Sequence, residues 1–149
     1  MLFRSDLGAQ YPVTVDPLAS SPAWTEESNQ VGANYGFNIS TAGDVNGDGY
    51  SDVIVGADGY GTETTNEGRA YLYLGSASGL SATASWKTES NQQDARYGCS
   101  VSTAGDVNGD GYSDVIVGAY GYNNGRAFLY LGSSSGLSTT ASRSEEHTV

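Results

Sequence analysis

Asp44, Asn46, Asp48 and Asp52 occupy positions 1, 3, 5 and 9 of a nine-residue pattern, D-x-N-x-D-G-x-x-D, and Asp106, Asn108, Asp110 and Asp114 repeat it 62 residues later. Three carboxylates within nine residues repel one another unless a cation lies among them. Gly47 and Gly49 permit the left-handed turns that wrap backbone around an ion. The carbonyls of Tyr50 and Tyr112, at position 7, would complete a cage of oxygens. Oxygen donors without His or Cys select a hard cation, with Ca2+ ahead of Mg2+ because protein oxygens crowd the cage. The residue types therefore predict two Ca2+ sites, each built from four side chains and one carbonyl.

Asn, Asp and Gly also dominate turns that bind nothing. Fidelity argues against a plain turn. STAGDVNGDGYSDVIVGA runs from Ser40 to Ala57 and recurs unchanged from Ser102 to Ala119, whereas packing alone tolerates swaps of similar volume. A helix-loop-helix calcium site wants an acidic ligand at position 12 leading into a helix. Position 12 here is Val55 or Val117, within a Val-Ile-Val run of strand character. No Ser/His/Asp or Cys/His set is present, and the paired carboxylates that could serve a glycosidase are committed as ligands. No catalytic residue is assigned, and the reading is of a protein that is not an enzyme. Cys99 is the single cysteine, so no intrachain disulfide can form. It stands in the slot of Phe37 in the other copy, which predicts a buried apolar position.

The loops sit within a longer repeat. Trp24 pairs with Trp86 and Tyr35-Gly36 with Tyr97-Gly98 at the same spacing, while GRAYLYLGSASGLSATAS from Gly68 pairs with GRAFLYLGSSSGLSTTAS from Gly125. The length difference falls between Ala57 and Gly68, in a Gly/Asn/Thr segment shortened to YGYNN, and marks a surface loop. Each unit reads as four strands, predicted over Tyr35 to Ala42, Asp52 to Ala57, Arg69 to Gly75 and Ala84 to Glu89. Phe37 and Ile39 share one face of the first. The continuous β-branched second strand suits cover on both faces. The third alternates, with Ala70, Leu72 and Leu74 opposite Tyr71 and Tyr73. Four short antiparallel strands per unit predict an all-β fold of propeller blades, and one blade needs neighbours stacked on it.

Upstream, LASSPAW (18–24) aligns with LSATASW (80–86), so a preceding unit ends there; downstream, the register asks for Trp at position 143, where Arg143 stands. MLFRS at one end and RSEEHTV at the other match nothing in the repeat. LFRS is encoded by CTC TTC CGA TCT, whose reverse complement encodes RSEE, the mark of a sequencing adapter read through at both ends of an insert. The expected organisation is adapter-derived residues at 1–5 and 143–149, the end of a preceding blade at 6–23, and repeats at 24–85 and 86–142. His147, the single histidine, falls in the tail. A missing leader then says nothing about export.

The net charge of −11 disfavours nucleic acid and anionic membrane as partners. Six of the ten Asp lie in the two loops, so much of that charge is local. No apolar run is long enough to span a bilayer.

Tyr-Gly at the start of each unit, D-V-N-G-D-G-Y-S-D-V-I-V-G-A and GRAYLYLG resemble FG-GAP repeats, the blades of integrin alpha-subunit propellers and of many bacterial secreted and surface proteins. The resemblance covers nearly all of 18–142. It implies that these are two blades of a seven-bladed ring and that Ca2+ is held between the first two strands of a blade. It further implies an extracellular or cell-surface adhesion or ligand-binding scaffold whose partner is a protein or a glycan. The alternatives are an accessory propeller of a larger secreted hydrolase or lyase, or a propeller lectin. Tyr replaces Phe in the opening dipeptide, and Asp58 or Tyr120 replaces the Pro of G-A-P, which alters the loop that follows. That loop, Asp58 to Glu67 with Tyr60 and Tyr120 to Asn124 with Tyr122, is a candidate contact surface, with ordinary loop variation as the alternative.

Overall fold

The computed structural model describes residues 21–61 and 65–144. The expected adapter-derived segment 1–5, most of 6–23 and His147 lie outside the described residues. Two four-stranded antiparallel sheets follow one another, each with its strands side by side in chain order. The first comprises β1 (Asn38–Gly43), β2 (Asp52–Ala57), β3 (Arg69–Tyr73) and β4 (Trp86–Glu89); the second comprises β5 (Tyr97–Gly105), β6 (Asp114–Ala119), β7 (Arg126–Tyr130) and β8 (Arg143–Ser144). These are the two predicted blades. No described residue is helical.

The DVIVGA run forms β2 and β6 with the bounds expected of it. Its β-branched side chains suit a pleated strand paired on both edges. Val53 lies opposite Thr41 on one side and Tyr73 on the other. Alternation along β3 sorts its residues as predicted. Ala70 and Leu72 join Ile54 on the face turned to the second blade, where Tyr97, Val101, Val115, Val117 and Tyr130 complete one buried cluster. Burying each large aliphatic side chain there contributes about 1.5–3 kcal/mol. Tyr71 and Tyr73 point the other way, with Val55, and are covered by Ala33, Trp24 and Tyr60.

Each tryptophan locks a blade to the next. The Trp86 indole meets the Tyr130 ring edge-on at 4.8 Å, and its Nε1 donates to the Ser138 carbonyl at 3.0 Å. Trp24 repeats this one unit earlier, against Tyr73 at 4.9 Å and the Ser81 carbonyl at 3.0 Å.

Three expectations change. The third strand stops at Tyr73 rather than Gly75, and the fourth begins at Trp86 rather than Ala84. The first strand begins at Asn38 rather than Tyr35, because its ladder with β2 starts only at the Asn38–Gly56 pair; the turn before it, with φ of 54° at Asn34 and 83° at Gly36, recurs at Arg96 and Gly98. In the second blade the strand runs from Tyr97, which pairs with Ala119 across the sheet and bridges to Gly68 of the first blade. The Phe37 and Cys99 slot is also not core. Phe37 is 82% exposed and Cys99 half-buried. Phe37 and Ile39 do share a face as predicted, but no described blade covers it on the first sheet. Their counterpart face on β5 is covered, and Val101 is buried there.

The backbone of β8 lies opposite Phe128 and Leu129, so Arg143 takes the place that Trp86 holds opposite Leu72. The repeat register extends to that position in space as well as in sequence.

Candidate metal centre

Both D-x-N-x-D-G-x-x-D loops connect the first two strands of their blade, and a strand, not a helix, leaves each. Position 12 is therefore Val55 of β2 or Val117 of β6. Gly47 and Gly49 have φ of 75° and 89°, and Gly109 and Gly111 have 75° and 91°. These left-handed steps are what curl the chain around its own first carboxylate.

Asp44 Oδ1 accepts the N–H groups of Gly47 at 2.7 Å and Asp48 at 3.1 Å, and Oδ2 accepts that of Gly49 at 2.8 Å. Asp48 accepts the Tyr50 N–H at 2.9 Å and the Asn46 side-chain amide at 3.0 Å. The second loop repeats the set: Asp106 takes Gly109, Asp110 and Gly111, and Asp110 takes Tyr112 and Asn108. These N–H groups, Gly111's foremost, hold the Asp106 carboxyl below the ordinary carboxylate range.

Asp52 and Asp114, at position 9, are fully buried. Asp52 holds the Val45 N–H at 2.8 Å and the Gly75 N–H at 2.9 Å, while Asp114 holds those of Val107 and Gly132, both at 2.8 Å. Each carboxylate thus ties the loop to the turn after the third strand. Loss of water pushes the Asp52 carboxyl up. The two N–H donors oppose that shift, and the charges of Asp48 and Asp44 add to it.

The loop brings its predicted residues onto one curl of chain, but no three acidic, histidine or cysteine side chains among the described residues form a cluster ready to hold a metal ion. The donor set nevertheless fits a hard cation by chemistry. All its atoms are oxygens, and the hydrogen bonds above use three of the roughly four acceptor positions of Asp44 and two each of Asp48 and Asp52.

A residue outside the predicted set clamps the first loop from the next blade. The Ser113 N–H donates to the Asp44 carbonyl at 2.9 Å, and the Asp44 N–H donates to Ser113 Oγ at 3.2 Å. The Ser133 N–H reaches the Val45 carbonyl at 3.0 Å. Ser113 lies inside the recurring stretch, yet nothing in the sequence says that it serves a neighbour's loop rather than its own.

In the loops after β2 and β6 the two candidate contact tyrosines, Tyr60 and Tyr122, are engaged within their own blades. The Arg69 guanidinium lies 3.7 Å over the Tyr60 ring, and that of Arg126 lies 4.2 Å over Tyr122. Both tyrosines also abut blade aromatics, Tyr71 and Phe128. Thr65, Asn66 and Glu67 spend their carbonyls on N–H groups of Asp94, Arg96 and Tyr97, so the longer loop joins the blades. Tyr120 is the exposed aromatic of the shorter one, at 66%. No described helix is long and apolar enough to cross a membrane.

The FG-GAP repeat family matches residues 35–73 and 99–130, one stretch in each blade. Similar curated proteins include integrin alpha-PS3 of Drosophila melanogaster, 38% identical over 72% of the chain, and integrin alpha-PS2 of the same fly, 37% over 68%. Integrin alpha-6 of Gallus gallus is 30% identical over 76%. The chain spans about a tenth of the length of these relatives: 10%, 8% and 10%. Matched family segments, blade topology and repeated loops agree that this chain is an FG-GAP repeat protein of the integrin-alpha-like kind, contributing two propeller blades.

Proposed function

We propose that the two loops are structural Ca2+ sites in an extracellular, non-catalytic propeller that serves adhesion or ligand binding. Asp44, Asn46, Asp48 and Asp52 with the Tyr50 carbonyl would hold one ion, and Asp106, Asn108, Asp110 and Asp114 with the Tyr112 carbonyl the other. The ion supplies positive charge among three carboxylates. The chain's part is to curl the loop through its glycines and to anchor it by Asp52 or Asp114. The Asn46 oxygen accepts the Asp48 N–H at 3.2 Å, and the Asn108 oxygen that of Asp110 at 3.2 Å, which leaves each a second acceptor position for an ion.

The observation that carries this reading is the duplicated loop, whose oxygens and hydrogen bonds agree in both blades despite different surroundings. A cage of this kind outside the cell works at about 10⁻⁴–10⁻³ M. The likeness to integrin alpha subunits supports a protein or glycan partner and a cell-surface setting.

Calorimetric titration of the chain with CaCl2 tests the sites. Two binding events are expected, falling to one in Asp48→Ala and one in Asp110→Ala. Absence of binding heat, with a melting temperature indifferent to chelator, overturns the proposal.

A further inference from the structure

We propose that the two loops load their ions cooperatively, because residues of the second loop are built into the first. The inference rests on the calcium reading above and concerns how its two sites act on each other.

Tyr112 and Ser113 stand at positions 7 and 8 of the second loop. One peptide group joins them. Its carbonyl is the fifth oxygen of the second site, and its N–H is the one that donates to the Asp44 carbonyl at 2.9 Å. The group is trans and planar, so the two atoms point to opposite sides and cannot turn independently. Holding the Tyr112 carbonyl in the second site therefore holds the Ser113 N–H against the first. Asp44 is position 1 there, the residue whose carboxylate gathers the N–H groups of its loop. Its own N–H donates to Ser113 Oγ at 3.2 Å, so one serine grips both backbone groups of Asp44. Gly43 makes room for that grip, since a Cβ there would strike the Ser113 side chain. The Tyr112 ring lies against Gly47, at position 4 of the first loop, where a Cβ would come within 2.7 Å of it.

A second relay runs through the anchoring carboxylates. Asp114 holds the Gly132 N–H at 2.8 Å, the adjacent Ser133 N–H reaches the Val45 carbonyl at 3.0 Å, and the Val45 N–H is held by Asp52 at 2.8 Å. Position 9 of one loop is thus tied to position 9 of the other. Asp52 and Asp114 are fully buried, which keeps water from the two ends of this chain and strengthens its bonds. Both relays cross the joint between the blades and order the same few backbone groups. The loop filled second finds that joint already ordered by the first, and coupling of this kind is reciprocal.

Calorimetric titration of the whole chain with CaCl2 tests this. Asp110→Ala leaves only the first site and Asp48→Ala only the second, so each reports one loop beside an empty neighbour. In the wild-type chain the product of the two association constants should exceed the product of the single-site values about fivefold or more. Ser113→Ala leaves every proposed ligand in place and should reduce that excess, with circular dichroism confirming its fold. Should it fail to fold, Gly43→Ala, which displaces the Ser113 hydroxyl, takes its place with the same expected loss. Two ions that bind with the single-site constants overturn the coupling and leave the calcium sites standing. An excess unaltered by Ser113→Ala overturns it too, since the joint would then not carry it. Absence of binding heat removes the calcium sites and their coupling together.

Discussion

Between Ser40 and Ala57 the first blade has the same residues as the second blade between Ser102 and Ala119, yet the two stretches live in different surroundings. Hydrogen bonds within the loops agree, strand bounds agree, and the anchoring aspartates are buried alike. Burial of the apolar residues does not agree. Val45 and Ile54 are fully buried, whereas Val107 and Ile116 are exposed. Local sequence therefore sets the curl of the loop and the pairing of the strand, but a neighbouring sheet decides which side chains become core. A blade is half of two interfaces, and its stability is the property of a pair.

The largest effect expected from this comparison is at the isoleucines. Ile54→Ala, which opens a cavity between the blades, should cost about 3 kcal/mol. Ile116→Ala should cost less than about 1 kcal/mol, as at an exposed position. Urea denaturation of both variants measures the gap. Equal losses would mean that the blades do not stack as described.

The glycines give the next largest contrast. Gly47 and Gly109 share a φ of 75°, so alanine strains either by about 1 kcal/mol. A Cβ on Gly47 would also come within 2.7 Å of the Tyr112 ring, while one on Gly109 would meet nothing within 4 Å. Crowding the ring adds about 1 kcal/mol or more to Gly47→Ala alone. The difference in melting temperature between the two variants reads the interblade contact apart from the backbone strain they share.

Calcium sharpens the comparison further. For a Kd of about 10⁻⁴ M, roughly 1 mM Ca2+ stabilises the fold by about 1.4 kcal/mol per occupied loop. The Ser113 clamp holds the first loop in place before any ion arrives, and such preorganisation favours binding. Thermal melts in buffered Ca2+ should show Asp110→Ala, which keeps the clamped loop, responding at lower concentration than Asp48→Ala. The reverse order would mean that Ser113 holds the loop in a shape unsuited to an ion.

Much of this was legible in the residues. The Val-Ile-Val run, the alternation of Ala70, Leu72, Tyr71 and Tyr73, and the length change after Ala57 located strands and loop, because period and turn chemistry act locally. The start of β1 was hidden, since the same left-handed turn stands at Asn34 and Arg96, yet only Tyr97, bridged to Gly68 of the first blade, is drawn into its strand. The exposure of Phe37 was hidden for a different reason: apolar character marks a face that can be covered, not one that is. Tyr60 and Tyr122 read as recognition residues from composition, but Arg69 and Arg126 take up their rings. The second duty of Asp52 and Asp114, gripping the turn at Gly75 and Gly132, needed the third strand in place before it could be seen.

The smallest expected effect separates two tyrosine pairs. Tyr97 donates to or accepts from Tyr130 with oxygens 2.8 Å apart in the buried core, and Tyr35 does so with Tyr73 at 2.7 Å nearer the surface. Burial, with the partner phenol second, pushes the Tyr97 hydroxyl well above its ordinary range; Tyr35 is raised in the same direction, also mainly by burial. A raised phenol is held neutral in the fold while the unfolded chain ionises near pH 10. The stabilisation is therefore complete below about pH 10 and is lost as pH climbs toward the folded-state value. At neutral pH Tyr97→Phe removes one hydrogen bond, about 1 kcal/mol, with Thr88 Oγ1 3.5 Å from the remaining Tyr130 hydroxyl. Tyr35→Phe should cost less, because its pair is only partly buried and water can substitute. Above pH 10 the order should narrow, as Tyr97→Phe also removes a group whose ionisation drives alkaline unfolding. Melting curves of both variants at neutral and alkaline pH measure this, and an alkaline limb unchanged in Tyr97→Phe would place the sensitive phenol outside the interblade core.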